Sequence, residues 1–418
     1  MGKYNFHGKK ALVLGASKWQ VPLIQQAQSM GLEVVATDYN PKAVGFKIAD
    51  HAEVVDILDA DANTEVAIKY GVDAVMTDQT DYALNVVAAV ASRLVIPGPS
   101  MAVARNCTNK RLMRELTSAR EVDNPRYYTV SEMSDARLAG SDLGFPLVIK
   151  PPDNQGSRGV FKINSMQELV EHFSESIRFS RDGEVLLEEY IKGIEVTVEG
   201  FVADGILHVL AISEKRHTPP PRIIAINLDF PPSFNESTIK KIKHTASMTA
   251  QSLGMRNGPF HGEFIVNENG VYLVEAAHRG GGSGTSSHIV PAVSGVNILE
   301  KLVLVSLGEK VTIRPTRNDA CTLKFLEFEP GMIDRIDGID EARKVPGIVL
   351  FEINYSAGEI IPQITDDSKR HGAVIASGAT VTDTHRLIDM AIRKVKVHYT
   401  GKTEIRQRNV LTNEIQVS

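Results

Sequence analysis

The chain has 418 residues, too many for a single hydrophobic core, so two to four compact units are expected. Its 46 basic and 51 acidic residues leave a net charge of −5, which offers no general attraction to nucleic acid or anionic membranes and leaves small molecules as the partners to look for. The two cysteines, Cys107 and Cys321, argue against a disulfide framework, and with a polar stretch from Met1 to Lys10 they fit a reducing, cytoplasmic setting.

In chain order, short apolar runs at Ala11–Leu14, Val34–Thr37, Val54–Ile57 and Ala74–Thr77 read as buried strands. Leu23, Ala27 and Met30 recur at helical spacing before Gly31, a plausible stop, and Leu84, Val87, Ala91 and Leu94 mark a second amphipathic helix. Strand and helix in alternation argue for a parallel sheet with crossover helices. The turn Gly15, Ala16, Ser17, Lys18 lacks the dinucleotide fingerprint, which sets aside a nicotinamide dehydrogenase. Pro97 and Pro99 mark the exit from this first domain. A helix at Lys110–Ser118 then precedes a β-rich region reaching about Arg314. The proline-rich segment His217–Phe234 is expected as a loop. Asn297, Glu300 and Lys301 break the apolar stretch Ile289–Leu307, which reads as one buried helix rather than a membrane span. The tail from Thr316 has strand-like runs at Thr322–Phe328 and Val349–Ile353 and a closing helix near Thr384–Val397.

Three segments carry chemistry. A strand from Phe145 ends in Lys150 and feeds a polar loop containing Gly156, Ser157 and Gly159. Backbone amides in such a loop can cradle phosphate oxygens beside the lysine charge, although a hairpin turn with a surface lysine fits the same residues. The run that opens at Val185 and passes through Glu188, Glu189, Ile191 and Glu195 starts as a buried strand and interrupts itself with polar residues before resuming as a second strand. Such a break can lay backbone against an adenine edge, with Glu195 accepting from ribose hydroxyls; an exposed acidic turn is the bland alternative. Gly262–Val266 and Val271–Glu275, joined by Asn267–Gly270, make a hairpin that brings Glu263 and Glu275 onto neighbouring strands. Two adjacent carboxylates repel unless a cation sits between them, and hard oxygen ligands suit Mg²⁺; two water-facing glutamates are the alternative. Behind them, Arg279 with Gly280, Gly281 and Gly282 lets a substrate anion approach the backbone closely.

Taken together these residues resemble the ATP-grasp superfamily, in the branch with biotin carboxylase-like and L-amino-acid-ligase-like members, over nearly the whole chain. The resemblance implies an α/β (α+β) ATP-grasp fold: an N-terminal doubly wound parallel-sheet domain (1–103), a small ATP-grasp subdomain with its linker helix (104–187), a large subdomain with the metal site (188–314) and a β-rich C-terminal α+β domain (315–418). It implies that Lys110, Lys150, Gly156, Ser157, Gly159, Glu188, Glu189, Ile191 and Glu195 hold ATP and that Glu263 and Glu275 hold Mg²⁺ or Mn²⁺. Arg279 and Lys150 would be catalytic, and Arg279 with Gly280, Gly281 and Gly282 would bind substrate and stabilise an oxyanion. Where many relatives carry a further asparagine ligand this chain has Ala277, a departure shared with amino-acid-ligase-like members, and His278 is a weak substitute because histidine prefers softer metals. The activity implied is that of a ligase of the C–N bond-forming class. ATP phosphorylates a small carboxylate to an acyl phosphate, which an amine attacks to give an amide or dipeptide, releasing ADP and phosphate. The alternative is carboxylation or formyl transfer to a nucleotide-pathway amine from bicarbonate or formate. A homodimer is implied by the resemblance alone.

Overall fold

The computed structural model describes residues 5–154, 158–218, 224–365 and 369–401. Two compact units emerge, Met1–Glu214 with Phe230–Asn318, and Lys215–Asp229 with Asp319–Ser418.

The first unit opens with a parallel sheet of strand order His51–Val54, Glu33–Asp38, Lys10–Leu14, Ala74–Met76. Ala11 and Val13 face helix Val21–Ser29 and residues Leu299, Val303 and Leu304. Leu12 and Leu14 face the opposite way, onto helices Ala60–Tyr70 and Leu84–Leu94. Cover on both faces is why the central strand is apolar throughout rather than alternating. The strand expected at Val54–Ile57 lies earlier, at His51–Val54. As the edge strand it is half-exposed and alternating, while Val55 and Ile57 pack into the core just after it.

An antiparallel sheet follows, in the order Tyr127–Val130, Val185–Glu189, Leu147–Lys150, Phe161–Ile163. Helices Met133–Leu143 and Met166–Arg178 cover one face of it. Strands Val271–Ala277, Gly258–Val266, Ile194–Ala203 and Ile206–His217 form the next sheet in that order, backed by helix Glu236–Ser252. The expected hairpin is present, but its turn does not use the left-handed Asn-Gly geometry. Instead the Asn267 carbonyl oxygen of the side chain accepts from the amides of Asn269 and Gly270. The single helix expected over Ile289–Leu307 is broken: Val290–Ser294 and Ile298–Ser306 belong to segments bent by 114°. Gly295 at φ +73° and the Asn297 cap, which accepts from the Glu300 amide, account for the break. Among the described residues no single helix is long and apolar enough to cross a membrane.

In the second unit, strands Ala225–Phe230, Ala320–Phe325, Gly372–Gly378 and Ile348–Ile353 lie side by side in that order. The first of these corrects the expected proline-rich loop: its six residues contain no proline and sit between prolines at 219–221 and 231–232. The closing helix runs Val381–Ile392, capped by Thr380, and gives way to a strand at Lys396–Tyr399 in which Val397 is buried between Lys396 and His398.

Candidate active site

Helix Lys110–Ser118 begins at Asn109, whose side chain accepts from the Leu112 amide. That start places Lys110 at the helix mouth and Arg114 one turn below it, on the same face. The Lys110 backbone N–H donates to Pro152 O at 2.7 Å and its ammonium to Asn154 O at 2.8 Å. The loop that follows Lys150 is thereby fastened to the helix start. Lys110 Nζ also lies 3.0 Å from Glu275 Oε2; burial works to lower its pKa, but Glu275 and Asp81 together raise it.

Beneath it lies a closed ionic cluster. The fully buried Arg114 donates through Nε to Glu188 Oε1 at 2.9 Å and through Nη2 to Glu188 Oε2 at 3.2 Å. Lys150 Nζ meets the same Oε2 at 2.7 Å. Burial alone would push the Glu188 carboxyl up, but the two cations bring it down to about 2. Burial pulls the Lys150 ammonium down to about 8, against the pull of Glu188.

Glu263 and Glu275 sit directly opposite each other on neighbouring strands. The register slips just beyond them, leaving Val274 as a bulge residue whose carbonyl accepts from Arg114 Nη2 at 2.8 Å. Side chains of directly opposite residues share a face, and these two remain 20% and 29% exposed. Among the described residues no group of three or more His, Cys, Asp and Glu side chains could enclose a metal. Two carboxylates that leave the remaining positions to water and phosphate are the donor set Mg²⁺ commonly takes, so the residues fit that ion. His278 turns away: its ring packs on Gly258 and its Nδ1 lies 3.0 Å from Pro259 O. Thr197, paired with Glu263 across the next strand, buries a hydroxyl that has no protein partner.

The segment after the hairpin is held by carboxylates. Arg279 Nε and Nη2 donate to Asp81 Oδ1 and Oδ2 at 2.6 and 2.9 Å, and Nη1 to Gly280 O at 2.9 Å. The Gly280 amide donates to Asp78 Oδ1 at 3.0 Å and the Gly281 amide to Glu199 Oε2 at 3.1 Å. Each amide is therefore turned to a protein carboxylate rather than toward a substrate oxyanion, while open space lies in front of Gly282. A Cβ at Gly280 or Gly281 would collide with Ser286 or Glu199, which accounts for the glycines. His261 bridges Glu199 (Nδ1 to Oε1, 2.6 Å) and Glu263 (Nε2 to Oε1, 3.7 Å). Burial lowers its pKa, but Glu199 more than offsets this and holds it at about 9. Asp78, fully enclosed, is pushed up to about 6 by burial despite accepting from Ser286 and Gly280. A cavity of about 290 Å³ opens beside this assembly, lined among others by Asp81, Tyr82, Asn109, Lys110, Asn154 and Glu275.

Of the remaining residues read from the sequence, Glu189 lies 3.5 Å from Arg126, and Ile191 falls in the four-residue link Tyr190–Gly193 between the two sheets. Glu195 pairs with Ile265, two strand positions from Thr197 on the same face. Gly159 adopts φ +73°, and Gly156 and Ser157 lie outside the described residues.

A family model for the ATP-grasp domain matches residues 143–287, and one for L-amino acid ligase C-terminal domain 2 matches residues 324–400. The chain thus carries an ATP-grasp domain followed by an L-amino acid ligase C-terminal domain. Among its relatives, a formate-dependent phosphoribosylglycinamide formyltransferase of Sulfurisphaera tokodaii is 23% identical over 90% of this chain and 94% of its own. An L-arginine-specific L-amino acid ligase of Bacillus subtilis is 25% identical over 64% of this chain and 66% of its own. The L-amino acid ligase of Bacillus licheniformis superposes with a TM-score of 0.80 at 21% identity, covering 94% of this chain and 99% of that one. The biotin carboxylase domain dimer of Hydrogenobacter thermophilus, crystallised with MgADP and bicarbonate, superposes at 0.75 with 18% identity, covering 93% and 90%. These likenesses establish the ATP-grasp fold, and the chain is an ATP-dependent ligase.

Sequence reasoning missed Arg114, Asp78, Asp81, Glu199 and His261. Signals were available for most of them. Arg114 stands four residues after Lys110 on a helix, and Glu199 is two strand alternations beyond Glu195. Asp78 and Asp81 follow a parallel strand at its carboxyl end, where open α/β sheets collect ligands.

Proposed function

We propose that this ATP-grasp ligase phosphorylates a small carboxylate and joins the resulting acyl group to an amine, forming an amide or dipeptide bond with release of ADP and phosphate. The observation that supports this reading above the others is the facing pair Glu263 and Glu275, with Lys110 and the Lys150 cluster around it. Phosphoryl transfer asks a protein for alignment and charge neutralisation more than for covalent help. Lys110 and Lys150 are the phosphate-holding cations in this reading, and the Tyr190–Gly193 link with Glu189, Ile191 and Glu195 is the nucleoside end. Glu263 and Glu275 would hold Mg²⁺, which lowers the charge on the triphosphate when bound. Arg279 and the space before Gly282 would meet the reacting carboxyl group. Both cysteines are buried free thiols, which suits the cytoplasm, and the dimeric biotin carboxylase neighbour supports a homodimer.

The test is ADP release with single amino acids, amino-acid pairs and small acids. Lys150→Ala and Glu275→Ala should each reduce turnover by at least about a thousandfold while keeping a cooperative thermal transition. Wild-type rates in either variant would refute the assigned roles. The second reading, formyl or carboxyl transfer to a nucleotide-pathway amine, is favoured by the formyltransferase relatives. Turnover that requires formate or bicarbonate and ignores amino acids would select it.

A further inference from the structure

In the sheet that carries the hairpin, three neighbouring strands bring oxygen-bearing side chains into one row. Glu275 stands opposite Glu263, and Glu263 stands opposite Thr197. Val196, Val198 and Phe264 pack into the core beneath helix Glu236–Ser252, so alternation along the strands turns Thr197 and Glu263 to the other face. Thr197 is only 1% exposed, and its hydroxyl oxygen has no hydrogen-bond partner. The strand does not need that hydroxyl: the Thr197 amide is held by donating to Ser213 Oγ at 3.2 Å. Valine has the same branched shape and would fill the place without burying an unpaired polar atom, which costs stability. An unpaired buried hydroxyl beside a carboxylate of the cation site points to a ligand that the two glutamates do not hold alone. Ala277, two residues beyond Glu275, brings no side-chain oxygen to help them.

We propose that Thr197 is a positioning residue of the cation site, its buried hydroxyl holding in place a water bound to the divalent ion between Glu263 and Glu275. This rests on the metal reading above and adds a residue outside the acidic pair. A threonine oxygen is carried on Cβ, whereas a glutamate carboxylate stands two carbons further out. The hydroxyl therefore lies nearer the sheet than the carboxylates that meet the cation. That gap suits a water molecule, and Mg²⁺ keeps several of its waters when carboxylates hold it. A hydroxyl has acceptor lone pairs for the proton of such a water, which fixes the direction in which the water's oxygen faces the ion.

Thr197→Val and Thr197→Ser test this in the full chain. Mn²⁺ binding is followed without nucleotide by loss of the free-ion electron paramagnetic resonance signal, beside thermal melts of the metal-free protein. Thr197→Val should bind Mn²⁺ about tenfold more weakly, the lower end of what an outer hydrogen-bond partner contributes at a metal site. Thr197→Ser keeps the oxygen and should bind nearly as the wild type does. The metal-free Val variant should melt no lower than the wild type, because it exchanges an unpaired hydroxyl for a methyl group. Weaker metal binding in a protein at least as stable is a combination that lost packing does not produce. Wild-type Mn²⁺ affinity in folded Thr197→Val overturns the proposal. So does a Thr197→Ser as weak as Thr197→Val, or a metal-free Thr197→Val that melts below the wild type. Glu275→Ala separates these failures from failure of the reading beneath them: Mn²⁺ binding equal in Glu275→Ala and the wild type overturns the cation site itself.

Discussion

Replacing Glu188 by glutamine removes one charge from the Arg114–Glu188–Lys150 cluster while keeping its shape. The carboxyl falls from an ordinary 4.5 to about 2, a drop of about 2.5, worth about 3 kcal/mol in favour of folding above pH 4.5 and lost as pH falls through 2. Lys150 falls from 10.5 to about 8, also a drop of about 2.5. That is a penalty of about 3 kcal/mol, present below pH 8 and fading as pH rises toward 10.5. The two nearly cancel, as buried ion pairs often do, so Glu188 serves to keep Lys150 charged more than to stabilise the fold. In Glu188→Gln, Lys150 loses the partner that raises its pKa while burial and Arg114 still depress it, so its pKa drops below 8 and a larger share of the amine is neutral at pH 7.5. Arg114 has no such escape and stays charged. We expect a loss of about 3 kcal/mol in urea unfolding at pH 7, measured beside kcat/KM for ATP across pH. That profile reports the free enzyme, so its alkaline limb should move from near pH 8 toward lower pH. A limb that stays in place, with unfolding altered by less than about 0.5 kcal/mol, would refute the reasoning.

Asp78→Asn should raise stability at pH 8 by about 3 kcal/mol and lose that advantage as pH falls from 6 to below 3.8. The buried carboxyl, lifted from 3.8 to about 6, penalises folding by an amount that grows as pH rises from 3.8 and levels off above about 6, and thermal melts across pH would reveal any failure of that convergence. Lys110→Ala should tighten Mn²⁺ binding in the absence of nucleotide, because it frees Glu275 from an ammonium 3.0 Å away, while weakening ATP binding. Calorimetry showing both affinities falling together would count against competition between lysine and metal at that carboxylate.

The elements legible in the sequence were those whose pattern is set locally. Helices Lys110–Ser118 and Leu84–Leu94 appear where capping and spacing place them, and so does the hairpin with its facing glutamates. Segments whose conformation depends on distant partners were harder to read. Strand His51–Val54 earns its place by pairing with Glu33–Asp38 rather than by apolar content, and Ala225–Phe230 is a strand despite flanking prolines. The site divides along the same line. Lys110, Lys150, Glu263, Glu275 and Arg279 sit in recognisable local settings. Asp81 reaches Arg279 across 198 residues, and Arg114 reaches Glu188 across 74, separations over which no periodicity carries information.

The cationic groups described around the site share one condition. Lys110 rests on Glu275, Lys150 and Arg114 on Glu188, and Arg279 on Asp81. Removing a charge from water is expensive, and a site with several bare cations would either misfold or attract any passing anion. Pairing each with a carboxylate solves both problems, but the pairs are not equivalent. Glu188 is almost fully buried and its partners are locked, so that cluster is a fixed platform. Glu275 and Asp81 keep some exposure and line the cavity, so their partners can exchange toward a ligand. In the proposed reading, exchange at Glu275 would favour a metal-bound triphosphate, because the carboxylate released by Lys110 needs a cation as much as Lys110 needs a phosphate. In that reading, charge balance at the Lys110–Glu275 pair favours a ligand that brings both signs.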